Sequence, residues 1–294
     1  FEGVRQELQA NYERSVKVAA ADFKEDPTNG EAADVLLGDY FQRNRYAEAA
    51  KVADAALKAG NASRLVLNVG GAANFAIHNF KRAQELLTRA KKEDLLVPQI
   101  AANYLELSDA YQELWEEEQK IRAAEKKADN LPRVEFDTTK GRIVVELFEN
   151  EAPNTVANFI SLVEKGFYDG IAFHRVIPNF MTQGGDPNTL DSNPANDGAG
   201  GPGYTIACEC YVPEHRKHFQ GSLSMAHAGR DTGGSQFFLT HLPTDHLNGK
   251  HTVFGRIIEG VDVNASMEPG DKIKSAKVLR KREHPYQPKT QPGR

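Results

Sequence analysis

The chain has 294 residues, 40% hydrophobic and 26% charged, with a formal net charge of -5. Those values fit a globular protein of two ordinary domains. No basic stripe points to nucleic acid, and no apolar run approaches the ~20 residues that a membrane helix needs. Only two cysteines occur, Cys208 and Cys210. Alternate strand residues lie ~6.5–7 Å apart and are poorly placed for a disulfide, so cysteine usage leaves the compartment open. The chain begins at Phe1 rather than Met. The expectation is a soluble protein, cytoplasmic or exported, from which an upstream segment has been removed.

The first part is rich in Ala, Glu, Lys and Leu. Six of the 24 glycines and two of the 14 prolines precede residue 131. That shift predicts a helical domain over 1–130, a β-rich domain over 131–280, and a polar, Pro-rich tail over 281–294 expected to be disordered. Pro132 sets the boundary, because the residue before a proline leaves helical backbone.

The helical part repeats. Tyr46-Ala47-Glu48-Ala49 returns as Phe80-Lys81-Arg82-Ala83, 34 residues on, and Phe41 returns as Phe75 at the same offset. A 34-residue period with an aromatic followed by small residues is similar to the tetratricopeptide repeat. A generic helical bundle is the alternative, and the period favours the repeat. Residues 99–128 read as one long helix with Tyr104, Leu107, Tyr111, Leu114, Trp115 and Ile121 on its apolar face.

The β-rich part opens with a hairpin, 133–137 and 142–147 around Thr138-Thr139-Lys140-Gly141. A helix follows, with Pro153 in its first turn, an apolar face of Val156, Phe159, Ile160 and Val163, and Gly166 as its C-terminal cap. Further strands are predicted near 172–177, 181–184, 205–207, 222–226, 236–240, 252–258 and 273–279, with a short helix over 261–267. Many short strands separated by turn glycines predict a closed β-barrel.

The run from Phe173 to Asp186 places a guanidinium, Arg175, and a carboxamide, Gln183, beside Phe180 and Met181. Strand alternation predicts that Phe173 and Arg175 share a face and that His174 points away. An apolar pocket with a cation and an amide at its rim suits a proline ring. This run resembles the signature of the cyclophilins, the peptidyl-prolyl cis-trans isomerases. Residues 221–229, 233–240 and 247–255 resemble the family's later motifs, in family order. The resemblance covers about residues 132 to 280 and implies an eight-stranded closed barrel with capping helices, and an enzyme of the EC 5.2.1.8 type.

The resemblance also implies roles for residues. Arg175 is the expected catalytic donor, with Gln183 holding the peptide carbonyl and His251 completing the pocket. Phe180, Met181, Phe238 and Leu247 are expected to form the proline pocket. Ala226 and His227 would offer backbone groups, and Gln236 would orient Arg175 or the substrate. His246 stands where the family often carries Trp, so cyclosporin binding is expected to be possible but weakened. The expected partners are proline-containing peptides or unfolded proteins, with a further protein partner for the helical domain. A non-catalytic proline-binding scaffold or co-chaperone is the alternative. No cofactor is expected. Cys208, Cys210, His215 and His218 have soft donors, but their spacing is not a usual zinc pattern. Residues 191–197 carry oxygen donors, but Pro194 breaks the calcium-loop pattern. Residues 132–280 are expected to fold and isomerise without the helices.

Overall fold

A computed structural model describes residues 2–293. Phe1, where the sequence suggested upstream removal, and Arg294, the end of the expected disordered tail, lie outside the described residues. The chain divides into two compact units, Phe1–Glu117 and Glu118–Arg294.

The first unit holds α1 (Glu2–Glu25), α2 (Gly30–Gln42), α3 (Tyr46–Lys58), α4 (Arg64–Ala76), α5 (Phe80–Lys92) and the larger part of α6 (Pro98–Ala128). Helices α4 and α5 begin 34 residues after α2 and α3. The capping chemistry keeps the same interval. Asn29 Oδ1 accepts from Ala32 N, and Ser63 Oγ accepts from Val66 N, so each satisfies an orphan donor at a helix start. The turns between helices use left-handed backbone at Asn44 and His78, and again at Gly60 and Asp94. Edge-on aromatic pairs repeat as Phe41–Tyr46 at 5.6 Å and Phe75–Phe80 at 5.0 Å.

Small residues set the helix spacing. A Cβ on Gly70 would lie 2.6 Å from Ala53 Cβ, and one on Gly71 would lie 2.4 Å from Leu87 Cδ2. Only glycine lets α4 approach α3 and α5 this closely. The long helix predicted over 99–128 is present as α6. Its Tyr104 and Tyr111 pack on Phe75, and Trp115 stacks on His78 at 4.1 Å.

The second unit contains β1 (Arg133–Thr138), β2 (Arg142–Leu147), α7 (Pro153–Glu164), β3 (Arg175–Ile177), β4 (Met181–Gly184), β5 (Tyr204–Thr205), β6 (Ser222–Met225), β7 (Phe237–Thr240), β8 (Val253–Glu259), α8 (Val261–Ala265), β9 (Ile273–Arg280) and β10 (Gln291–Pro292). Eight strands form one curled antiparallel sheet in the order β3-β4-β7-β6-β8-β2-β1-β9. The ladder is open between β3 and β9. A single bridge, Ala172 to Lys272, joins the segments leading into those two strands.

The concave face buries Phe136, Phe159, Phe237 and Phe254, with Phe136 and Phe237 stacked at 5.4 Å. Helix α7 adds Val156, Phe159, Ile160 and Val163, the face predicted for it. The Glu209 carboxylate accepts from the first amides of α7, Asn154 N at 3.1 Å and Thr155 N at 2.7 Å, which places an anion at the positive end of the helix.

Residues 281–293 depart from the expected disorder. Low apolar content argued against burial, but Tyr286 enters the core at 8% exposure and donates to Glu149 Oε2 at 2.8 Å. The tail then runs on as β10, antiparallel to β5. One aromatic and a set of backbone partners are enough to order this segment.

Candidate active site

The site begins as a register. Arg175 on β3 pairs with Gln183 on β4, and Gln183 pairs with Phe238 on β7. Residues directly opposite one another on neighbouring strands share a face, so these three side chains form one row. Phe237 and Gly184, offset by one, face the core instead.

Phe173 does not share the side of Arg175. Phe173 precedes β3, next to the bridge from Ala172 to Lys272. Phe173 turns inward against Phe237 and lies close over Gly184. Residues 173 and 175 do not belong to one continuous strand, so strand alternation does not relate them.

The row opens into a cleft of about 800 Å³. One end is apolar, with Phe180, Met181, Phe238, Leu247 and His251. The other is backbone-rich, formed by residues 198–205 together with Thr232, Gly234 and Gly293. Ala226, His227 and Gln236 line the same cleft. His246 lies outside this lining; its exposed ring tilts against Phe180 at 5.4 Å.

Among the described residues, no hydrogen bond or ion pair holds the exposed guanidinium of Arg175. Gln183 is fixed, since its Nε2 donates to Gln236 Oε1 at 3.1 Å. Gln236 in turn donates to Gly198 O and Gly200 O, each at 2.9 Å. It thus orients Gln183 and the glycine-rich loop, rather than Arg175. The same loop is held from below by buried Asp186, which accepts from Gly198 N and from Gly200 N.

Two histidines stack in the cleft wall, His227 and His251, with ring centroids 4.1 Å apart. His251 Nδ1 donates to Met225 O at 2.9 Å, which leaves Nε2 as an acceptor. Its ring stands edge-on to Phe238 at 5.6 Å. Burial lowers the pKa of His251, followed in effect by the opposing Met225 hydrogen bond. His227 Nε2 donates to Lys250 O, and its Nδ1 accepts from Gly229 N. Beneath the two rings His218 is fully buried, stacked on Phe238 and bonded to Asn248 and Ser224, and burial pushes its pKa down to about 3.

No group of three His, Cys, Asp or Glu side chains among the described residues is arranged to hold a metal ion. His215 is bonded to Val212 O and Lys217, and Cys208 Sγ accepts from Asp231 N. In the 191–197 loop Asp191 and Asn193 accept from the loop's own backbone amides. Sequence reasoning missed Tyr204, Thr205, Thr232 and Gly293 as cleft residues. The Gly-Ala-Gly-Gly-Pro-Gly run at 198–203 signalled the first two; nothing in the sequence signalled Gly293.

A cleft lined by apolar rings, by backbone of a glycine-rich loop and by an exposed guanidinium has the chemistry of a peptide-binding site. Residues 133–283 match the family described as cyclophilin type peptidyl-prolyl cis-trans isomerase/CLD, and the chain belongs to that family. A peptidyl-prolyl cis-trans isomerase of Synechococcus elongatus is 52% identical over 146 residues, covering 49% of this chain and 94% of its relative. Peptidyl-prolyl cis-trans isomerase B of Bacillus subtilis is 53% identical over 137 residues, 47% of this chain and 90% of that protein. An isomerase of Helicobacter pylori is 47% identical over 160 residues, 53% of this chain and 93% of that protein. No helix among the described residues is long and apolar enough to cross a membrane.

Proposed function

We propose that the cleft catalyses rotation about X-Pro peptide bonds, with Arg175 as the donor that stabilises the twisted amide. Amide resonance sets a barrier of ~18–20 kcal/mol to this rotation. Twisting localises the lone pair on the proline nitrogen, so a donor aimed there binds the twisted state more tightly than either planar isomer. Lowering the barrier by about 7 kcal/mol corresponds to roughly 10⁵ in rate. No bond is broken, and the step needs no general acid, base or metal.

The Arg175–Gln183–Phe238 row carries this reading. The proline ring sits on Phe180, Met181, Phe238 and Leu247, with His251 closing the slot. Gln183 holds the substrate carbonyl, while Ala226 and His227 offer backbone groups to the extended chain. His246, a smaller ring than the family's common Trp, weakens cyclosporin binding. Proline-containing peptides and unfolded proteins are the substrates.

The remaining architecture is assigned in the same way. Backbone bonds from Phe173 N to Asp271 O and from Ile273 N to Ile171 O support a barrel that acts as closed across the β3–β9 gap. The 34-residue recurrence of caps, left-handed turns and aromatic pairs supports a tetratricopeptide-like array that docks a protein partner. The isomerase unit is taken to begin at Glu118, the start of the second compact unit.

A protease-coupled assay on a short proline peptide tests the mechanism. Arg175→Ala should abolish most turnover in a folded protein, and Arg175→Lys should restore little, because a point charge lacks the planar fork. Near-normal turnover by folded Arg175→Ala would remove Arg175 from the mechanism.

A further inference from the structure

The tail reaches the cleft. After β9 the chain turns back over α7, and Asn154 holds it by a reciprocal pair, donating to Lys289 O at 3.1 Å and accepting from Lys289 N at 2.7 Å. Beyond this clamp Gln291 pairs with Thr205 and Pro292 with Tyr204, adding a strand to β5. Gly293 then forms part of the cleft wall. A Cβ on Gly293 would lie 2.9 Å from Gly203 O, so the segment lies directly against the glycine-rich rim.

The composition of this segment matches what the cleft takes. It contains three X-Pro bonds, at His284-Pro285, Gln287-Pro288 and Gln291-Pro292. Proline fixes φ and favours extended backbone, so little entropy is lost when such a segment lies along a sheet edge. Main-chain pairing to an exposed edge is also a common way for extended peptides to bind. The edge of β5 is therefore a strand-adding surface at the mouth of the site, and Tyr204 is fixed there by donating to Asn158 Oδ1 at 2.8 Å.

We infer that residues 284–293 are a built-in competitor, a proline-bearing strap that covers the β5 edge and must leave before a long extended substrate can pair there. This rests on the site reading above, in which proline occupies the Phe238 end of the cleft. A chain extending from that end along the cleft meets residues 203–205, where the strap lies. A peptide of four residues is too short to need that edge. The strap is tethered, so it competes at a high effective concentration even if its own affinity is weak. The enzyme consequently discriminates against long chains until something displaces the strap.

The test uses the full chain, a chain ending at Lys289, and Asn154→Ala. The shortened chain keeps Tyr286 and the Asn154 clamp and loses only the strand on β5. Turnover is measured on a four-residue and a twelve-residue proline peptide. An apparent affinity is reduced by the fraction of molecules in the competent state, so release of the strap should lower KM for the long peptide by about fivefold. For Asn154→Ala, which alters no cleft-lining residue, the same fall in long-peptide KM is expected, with the four-residue KM and both kcat values unchanged. Adding the free 284–293 peptide to the shortened chain should raise the long-peptide KM again and protect the Thr205 amide, which faces Gln291, from exchange. Loss of that amide protection in the shortened chain, with an unchanged long-peptide KM, overturns the proposal. Amide protection by the added peptide is read without turnover, so it stays informative even if Arg175→Ala shows the site reading to be wrong.

Discussion

Arg216 holds Glu118 through two guanidinium hydrogen bonds, Nη2 at 2.8 Å and Nε at 3.1 Å, and both side chains are buried. Its Nη1 reaches Glu125 at 2.6 Å, and the Phe148 ring lies 3.7 Å away against its flat face. Arg256 shares Glu125 and also binds Glu146, each at 2.6 Å. Removing one partner from such a cluster leaves an uncompensated buried charge, which costs about 3–5 kcal/mol. Arg216→Ala is expected to lower stability by that amount in urea unfolding. Arg216→Lys should recover little, because the fork geometry is lost. A midpoint indistinguishable from the parent chain would mean that water solvates the carboxylates.

The same cluster predicts a cut point for the isomerase unit at Glu118, ahead of the expected boundary at Leu131. A chain beginning at Leu131 lacks Glu118 and Glu125, and it leaves Arg216 and Arg256 short of partners. One beginning at Glu118 and ending at 293 keeps the cluster and Tyr286. The second should fold and turn over a short peptide. The first, like a 132–280 fragment, should unfold at clearly lower denaturant. Equal midpoints for the two fragments would count against any role for the last turns of α6.

Acid should weaken the second unit before it affects chemistry. His218 and His241 are buried, and burial pushes their pKa values down to about 3 and about 4. In the unfolded chain each titrates near 6.5. The unfolded state therefore binds more protons as pH falls below about 6.5, so stability drops until the folded values are reached. At pH 5 the loss is about 2 kcal/mol for each histidine. Unfolding of His241→Gln at pH 7.5 and pH 5.0 should show a shallower acid loss than the parent chain. Identical slopes would exclude His241 as a contributor.

Gln236 joins the carboxamide of Gln183 to the 198–200 loop, and Gln236→Ala removes both links. Losing hydrogen bonds of this kind costs about 1–3 kcal/mol. KM for a proline peptide should rise by about fivefold or more, with a smaller fall in kcat, since Arg175 is not touched. A fall in kcat at constant KM would instead place Gln236 in the rotation step itself.

In the helical unit, Gly71→Val or Ala83→Trp should overpack the contacts of α4 and α5 and cost about 1–3 kcal/mol. Short-peptide turnover should be nearly unchanged while far-UV helicity is lost at lower temperature. Parallel loss of turnover would show that the two units depend on one another.

Much of this was legible because the signals were local. The Tyr46 and Phe80 motifs gave the helical period, and the spacing of Val156, Phe159, Ile160 and Val163 gave α7. The cleft residues were named from short runs in which a strand and its turn lie together. What escaped depended on pairing between distant segments. Phe173 lies outside β3, which starts at Arg175, and its backbone pairs with Asp271, almost a hundred residues away, so alternation within β3 does not reach it. The tail was misread because its order comes from Tyr286 meeting Glu149 and from an edge strand at Tyr204, which no local composition reports. Gly293 became a cleft residue only through that same pairing. His246 is exposed and its ring contacts Phe180, a residue of the cleft.

Arg175 stands on a three-residue strand at the open edge of the sheet, while Gln183 lies one strand inward and Phe238 two. Edge backbone is held on one side only and opens more readily than interior ladders. The row thus runs from an edge strand at the cation to interior strands at the amide and the aromatic floor. Under the proposed mechanism, a ring held on the floor stays still while the charge at the edge follows the turning nitrogen, which would make the enzyme's rim a moving part alongside the substrate's bond.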